Sequence, residues 1–135
     1  MSMTIFRIGV GLLGLVTLAT GVQALFTPSD WFFGTGDVSG TGPFNAHFVR
    51  DVGNAYLGLS ASFLIAAAMP RWAFPALIPG LVFSLGHAGV HGWEIATGHA
   101  ATHGGSLTDW AGVILPAVLT VGLVLWAWRI LNEQP

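Results

Sequence analysis

The chain has 135 residues, a formal net charge of -2 and a mean hydropathy of +0.72; 53% of it is hydrophobic and only 7% is Asp, Glu, Lys or Arg. A soluble domain carries roughly 25% charged residues, so this composition cannot cover a water-facing surface and reads as one integral membrane domain over residues 1–135. Arg7, Arg50, Arg71 and Arg129 are the only cationic side chains besides histidine, which excludes the dense basic patch that nucleic acid requires, and the absence of cysteine excludes disulfides and thiolate metal sites.

A bilayer core takes about 20 apolar residues per helix, and four runs qualify. The first covers residues 5–26 and holds Gly14, Thr17 and Gly21, small residues spaced to allow a neighbouring helix close approach. Arg7, the apolar stretch and Val22-Gln23-Ala24 also fit a signal peptide with its cleavage site; three spans would then remain, with the amino terminus outside. Residues 27–44, with Pro28, Asp30, Asp37, Pro43 and several glycines, read as a loop. The second run covers 45–69, and Pro70 and Pro75 mark the turn into the third, 73–95. Residues 96–107, rich in Gly, Thr and His, form a second loop before the fourth run, 108–130. The expected fold is an all-α bundle of four transmembrane spans.

Arginine placement orients it. Arg7, Arg71 and Arg129 fall on one side of four successive spans, and the positive-inside rule makes that side the cytoplasm of a plasma-membrane protein with both termini inside. Arg50 is the exception, with Asp51 beside it as a partner. Trp31, Trp93 and Trp110 fall at the outer interface and Trp72, Trp126 and Trp128 at the inner one, forming two aromatic belts.

Ionisable groups inside a span are costly and mark sites. On a helix, residues i, i+4 and i+7 share a face. In the second run that stripe is His47, Asp51, Asn54, Gly58 and Ser62, with Arg50 at its margin. In the third it is Gly80, Ser84, His87, His91 and Glu94, and in the fourth Asp109, Gly112, Pro116 and Thr120. At about 1.5 Å per residue, His47 and Glu94 share a level, Asp51 and His91 lie one turn deeper, and Asn54 and His87 deeper still. Facing stripes would make a polar funnel in the outer half of the bundle.

Three functions fit such a funnel. In the first, His87 and His91, one turn apart, chelate a transition metal (Zn, Fe or Cu) together with Glu94, His47 and Asp51, and the metal supports redox or hydrolytic chemistry. Haem between His47 and His91 is a variant that so small a bundle leaves little room for. In the second, the polar residues only fix packing, and the protein is a non-enzymatic accessory subunit of a homo-oligomer or larger membrane complex. In the third, a metal-free enzyme uses Asp51 and His91 as acid and base, with Arg50 or Asn54 orienting a lipid-soluble small molecule that enters from the bilayer. His99 and His103 repeat the ligand spacing, but in a loop that does not fix it. Asp109, beside Thr108, reads mainly as a helix N-terminal residue, and Tyr56, opposite Asp51, as packing. No glycine pattern supports nucleotide binding, and no serine lies in a nucleophile elbow.

The segment Phe44-Asn45-Ala46-His47-Phe48-Val49-Arg50-Asp51-Val52-Gly53, followed by Tyr56-Leu57, then His87, His91, Asp109 and Pro116, resembles a group of small bacterial four-helix membrane proteins of DoxX-like architecture. Their H-x-V-R-D-x-G segment is matched at His47 to Gly53. The resemblance implies a four-span fold with a shared polar site and brings no reaction with it. Gly92-Trp93-Glu94 and the His99/His103 loop fall outside the shared pattern.

Overall fold

A computed structural model describes residues 2–36, 38–98 and 109–132, and among these the chain is helical with no strand. Four long helices dominate: α1 (Met3–Phe26), α3 (Ala46–Ala68), α4 (Ala73–Thr97) and α5 (Leu115–Asn132), the last preceded by a π-helical turn, Trp110–Ile114. A short helix, α2 (Pro28–Gly34), and a 3-10 turn (Val38–Thr41) join α1 to α3; another 3-10 turn, Pro70–Trp72, joins α3 to α4. Local chemistry sets these limits. The Asn45 side chain accepts the backbone N–H groups of His47 and Phe48 at 3.0 and 3.2 Å to open α3. Gly98, at φ 77°, closes α4 in the left-handed conformation that favours glycine.

The expected loop over residues 27–44 contains α2, and the reason is legible in its residues. Pro28 occupies the first turn, where its missing N–H costs nothing, and Asp30 complements the helix dipole there. Trp31 and Phe32 are then buried, with Ala24 and Val49, in a small core at one end of the bundle. The larger core lies at the other end, where Phe6, Val10, Phe63, Leu77 and Val124 meet.

α1 and α3 pack antiparallel and closest of all. A Cβ on Gly53 would lie 2.9 Å from the Leu25 nitrogen and 3.0 Å from the Gly21 oxygen, so the two backbones touch there. Near the middle, the buried Ser60 hydroxyl donates to the Gly14 carbonyl at 2.8 Å. At the far end, the Arg7 side chain donates to the Ala67 carbonyl at 2.8 Å. Gly14 and Gly21 therefore serve the close approach expected of them.

α4 runs back along α3. Gly80 sits against Phe63 and Leu59, and Tyr56 meets Phe83 with ring centroids 5.4 Å apart. Pro79 lies inside α4 and has no N–H to offer the Pro75 carbonyl; next to that break, Ser62 donates across to the Ala76 carbonyl. α5 packs on α4 and reaches α1 where Phe6 meets Trp126 at 5.3 Å and Gly9 faces Leu123. Arg7, Arg71 and Arg129 thus gather at one end of the bundle, with α2 and the start of α3 at the other.

Among the described residues three segments are long and apolar enough to cross a membrane: Met3–Phe26, Pro70–Thr97 and Trp110–Ile130. Leu12, Leu15 and Val16 on α1, Val82 on α4, and Val118 and Leu125 on α5 are all exposed, an outer surface suited to hydrocarbon rather than water. These features mark a helical membrane protein. α3, at 23 residues, is as long as its neighbours, but His47, Arg50, Asp51 and Asn54 in its first turns lower its hydropathy.

Candidate functional site

The rotation of α3 about its axis decides which side chains can meet. Val49, Gly53 and Ser60 are buried on the side that packs against α1, while Val52, Tyr56 and Leu59 turn toward α4. The sector left over points away from both and carries His47, Arg50, Asp51, Asn54 and Gly58, all exposed. His47 and Asp51 pair with each other along the helix at 3.4 Å, with side chains 88% and 60% exposed. They do not face α4. The expected pairing of Asp51 with His91 therefore does not form, and neither does the shared shell of His47, Asp51, His87, His91 and Glu94. The expected facing fails because the glycine contacts of α1 with α3 turn the polar stripe outward. Arg50 makes no ion pair with Asp51 or any other carboxylate among the described residues. Haem ligation by His47 and His91 is likewise not supported by this placement.

The second polar stripe does line a cavity, of about 490 Å³, bounded by α2, the 3-10 turn after it, α3, α4 and the π-helical turn before α5 with Asp109 at its head. This is within the roughly 300–1,000 Å³ usual for small-molecule sites. Trp31, Val38, Phe48, Val52, Val90 and Val113 make it largely apolar, while His87, His91, Glu94 and Asp109 bring polar groups to one wall. His91 Nδ1 lies 2.9 Å from Asp109 Oδ1, and the two side chains are 25% and 17% exposed. His87 packs edge-on against His91, with ring centroids 4.8 Å apart, and Phe83 lies on its other side at 5.7 Å.

Asp109 is therefore more than a helix-terminal residue, since it is the carboxylate partner of His91. Its place at the head of the polar stripe of the fourth run is the signal in the sequence for this. The π-helical turn that follows, Trp110–Ile114, is a distortion found frequently at functional sites. Tyr56 packs on Phe83, as its place opposite Asp51 predicts, and also lines the cavity. Among the described residues no group of three or more His, Asp or Glu side chains is gathered closely enough to hold a metal ion. Asp37, His99, His103 and Thr108 lie outside the described residues.

A carboxylate on Nδ1 fixes an imidazole's orientation and tautomer, leaving Nε2 as the atom that accepts or donates a proton. Here that pair lies in the wall of a mostly apolar cavity. Compared with protein-family models, with curated proteins and with solved structures, the chain has no match.

Proposed function

We propose that the chain crosses the plasma membrane four times with both termini in the cytoplasm, and that its outer half binds a lipid-soluble small molecule at an acid–base pair, His91 and Asp109. Connectivity supports the fourth crossing. α1 and α4 both begin at the end marked by Arg7 and Arg71, and α3 carries the chain back between them. The positive-inside rule puts that end in the cytoplasm, which makes the cavity extracytoplasmic in depth.

The observation that carries the functional reading is the 2.9 Å contact between His91 and Asp109 in the wall of a largely apolar cavity. Asp109 holds a proton on Nδ1, so Nε2 is free to take one from a ligand hydroxyl or from a carbon next to a carbonyl. The resulting imidazolium is stabilised by Asp109 and returns its proton to the same ligand, at the same or another atom. This chemistry balances without any co-reactant. The apolar body of the ligand would rest on Trp31, Phe48 and Val52, with Glu94 and the Tyr56 hydroxyl as further polar contacts.

The test is to purify the protein in a mild detergent, extract it with organic solvent, and analyse the extract by mass spectrometry and the protein for metals. Val52→Trp fills the cavity from the α3 side. The expected result is a small molecule recovered at close to one per chain from the wild type and at several-fold lower yield from Val52→Trp. Equal recovery from both, or one transition metal per chain that disappears in His91→Ala, would overturn the reading.

A further inference from the structure

We infer that two copies of this chain associate in the membrane through the outward face of α3, with Arg50 of each copy paired to Asp51 of the other. The inference rests on the reading of α3 as a fourth span and concerns the face of that helix opposite the cavity.

His47, Arg50, Asp51, Asn54, Gly58 and Ala61 recur at helical spacing along one exposed strip of α3. On α1, α4 and α5, by contrast, the exposed mid-helix positions carry apolar side chains or glycine and no charge, among them Leu15, Val16, Val82, Gly86, Gly122 and Leu125. A strip with two full charges and an amide cannot rest stably against hydrocarbon, and such groups in membrane helices face protein or a water-filled cavity. The cavity lined by His91 and Asp109 lies on another side of α3, and among the described residues none pairs with Arg50, which leaves the strip to a second copy.

The strip is complementary to itself. In a pair related by a two-fold axis along the membrane normal, equivalent residues lie at equal depth. Arg50 and Asp51 are adjacent in sequence, so each arginine then stands level with the partner copy's Asp51, and two reciprocal ion pairs form. Anionic and cationic partners of another kind would satisfy only half of this pattern. Gly58 is compatible with this arrangement. A Cβ there would meet nothing within 4 Å, as is also true of Gly86, Gly89 and Gly122 on the other helices, so the glycine leaves room at this face without by itself marking it. One turn below the charges, that glycine lets two α3 helices approach closely.

The chain has no cysteine, so a single introduced thiol reports cleanly. Asn54→Cys and, as a control on the outer face of α1, Leu15→Cys are reconstituted in phosphatidylcholine vesicles and oxidised. Asn54→Cys is expected to give a disulfide-linked dimer as the main product, at least five-fold above Leu15→Cys. Arg50→Asp and Asp51→Arg should each reduce the cross-link several-fold by placing like charges together, and the double exchange R50D/D51R should restore it. An Asn54→Cys yield no greater than that of Leu15→Cys, or a double exchange no better than either single one, overturns the pairing; the latter is the outcome if Arg50 instead binds a lipid headgroup. Labelling of Ala61→Cys by a membrane-impermeant maleimide keeps the two readings apart. Ala61→Cys that reacts freely overturns the fourth span and the dimer with it, and Ala61→Cys that is protected while Asn54→Cys fails to cross-link overturns the dimer alone.

Discussion

Gly53→Ala tests whether the contact of α1 with α3 governs the architecture. The added Cβ would stand 2.9 Å from the Leu25 nitrogen, 3.0 Å from the Gly21 oxygen and 3.2 Å from the Ala24 carbonyl carbon. Carbon contacts are optimal at about 3.5–4.0 Å, and all three neighbours are backbone atoms that cannot rotate aside. The helices must separate, at the cost of about 1–3 kcal/mol usual for overpacking. Replacing glycine within a helix returns about 0.5–1 kcal/mol. The net expectation is a loss of about 1–2 kcal/mol. Gly58→Ala is the matched control, because its Cβ meets nothing within 4 Å and only the favourable helix term of about 0.5–1 kcal/mol remains. Gly14→Ala should fall between them, since its closest neighbour is the Leu64 side chain at 2.7 Å, which can change rotamer. The assay is reversible unfolding by sodium dodecyl sulfate from mixed micelles, followed by circular dichroism at protein concentrations too low for self-association. The reasoning fails if Gly53→Ala proves as stable as Gly58→Ala, for then the backbones are not in the contact that turns the polar face of α3 outward.

Three further outcomes follow from the packing and the site. Ser60→Ala removes the buried hydroxyl that donates to Gly14 and should cost about 1 kcal/mol in the same assay, an unchanged midpoint counting against that bond. Trp31→Ala should cost about 3 kcal/mol or more, because Trp31 is buried in the small core beside the cavity; a change under about 1 kcal/mol would show that α2 does not dock as described. For His91→Ala and Asp109→Ala, a double-mutant cycle should give a coupling of about 1 kcal/mol, and strictly additive losses would mean that the 2.9 Å contact contributes nothing.

Residue types and their spacing were enough to anticipate much of this protein. Low charge and long apolar runs predict α1, α4 and α5 with the π-helical turn before it, together with a long helix at α3, within a few residues of their observed limits. Helical spacing also put His87, His91 and Glu94 on one stripe and Asp109 at the head of another. These are local properties, since the 3.6-residue turn relates neighbours along one helix wherever that helix is placed. α2 was missed because its seven residues are too few to show periodicity, although Pro28 and Asp30 are helix-opening residues. The choice of partner for each stripe was not local. Asp51 and Asp109 each head a polar stripe, and nothing in the spacing of either helix says which of them meets His91. The decision came from Gly53 meeting the backbone of α1 around Gly21 and Leu25, a contact between residues far apart in the chain. That close approach sets the rotation of α3, turns Asp51 to the outside and leaves Asp109 to meet the imidazole.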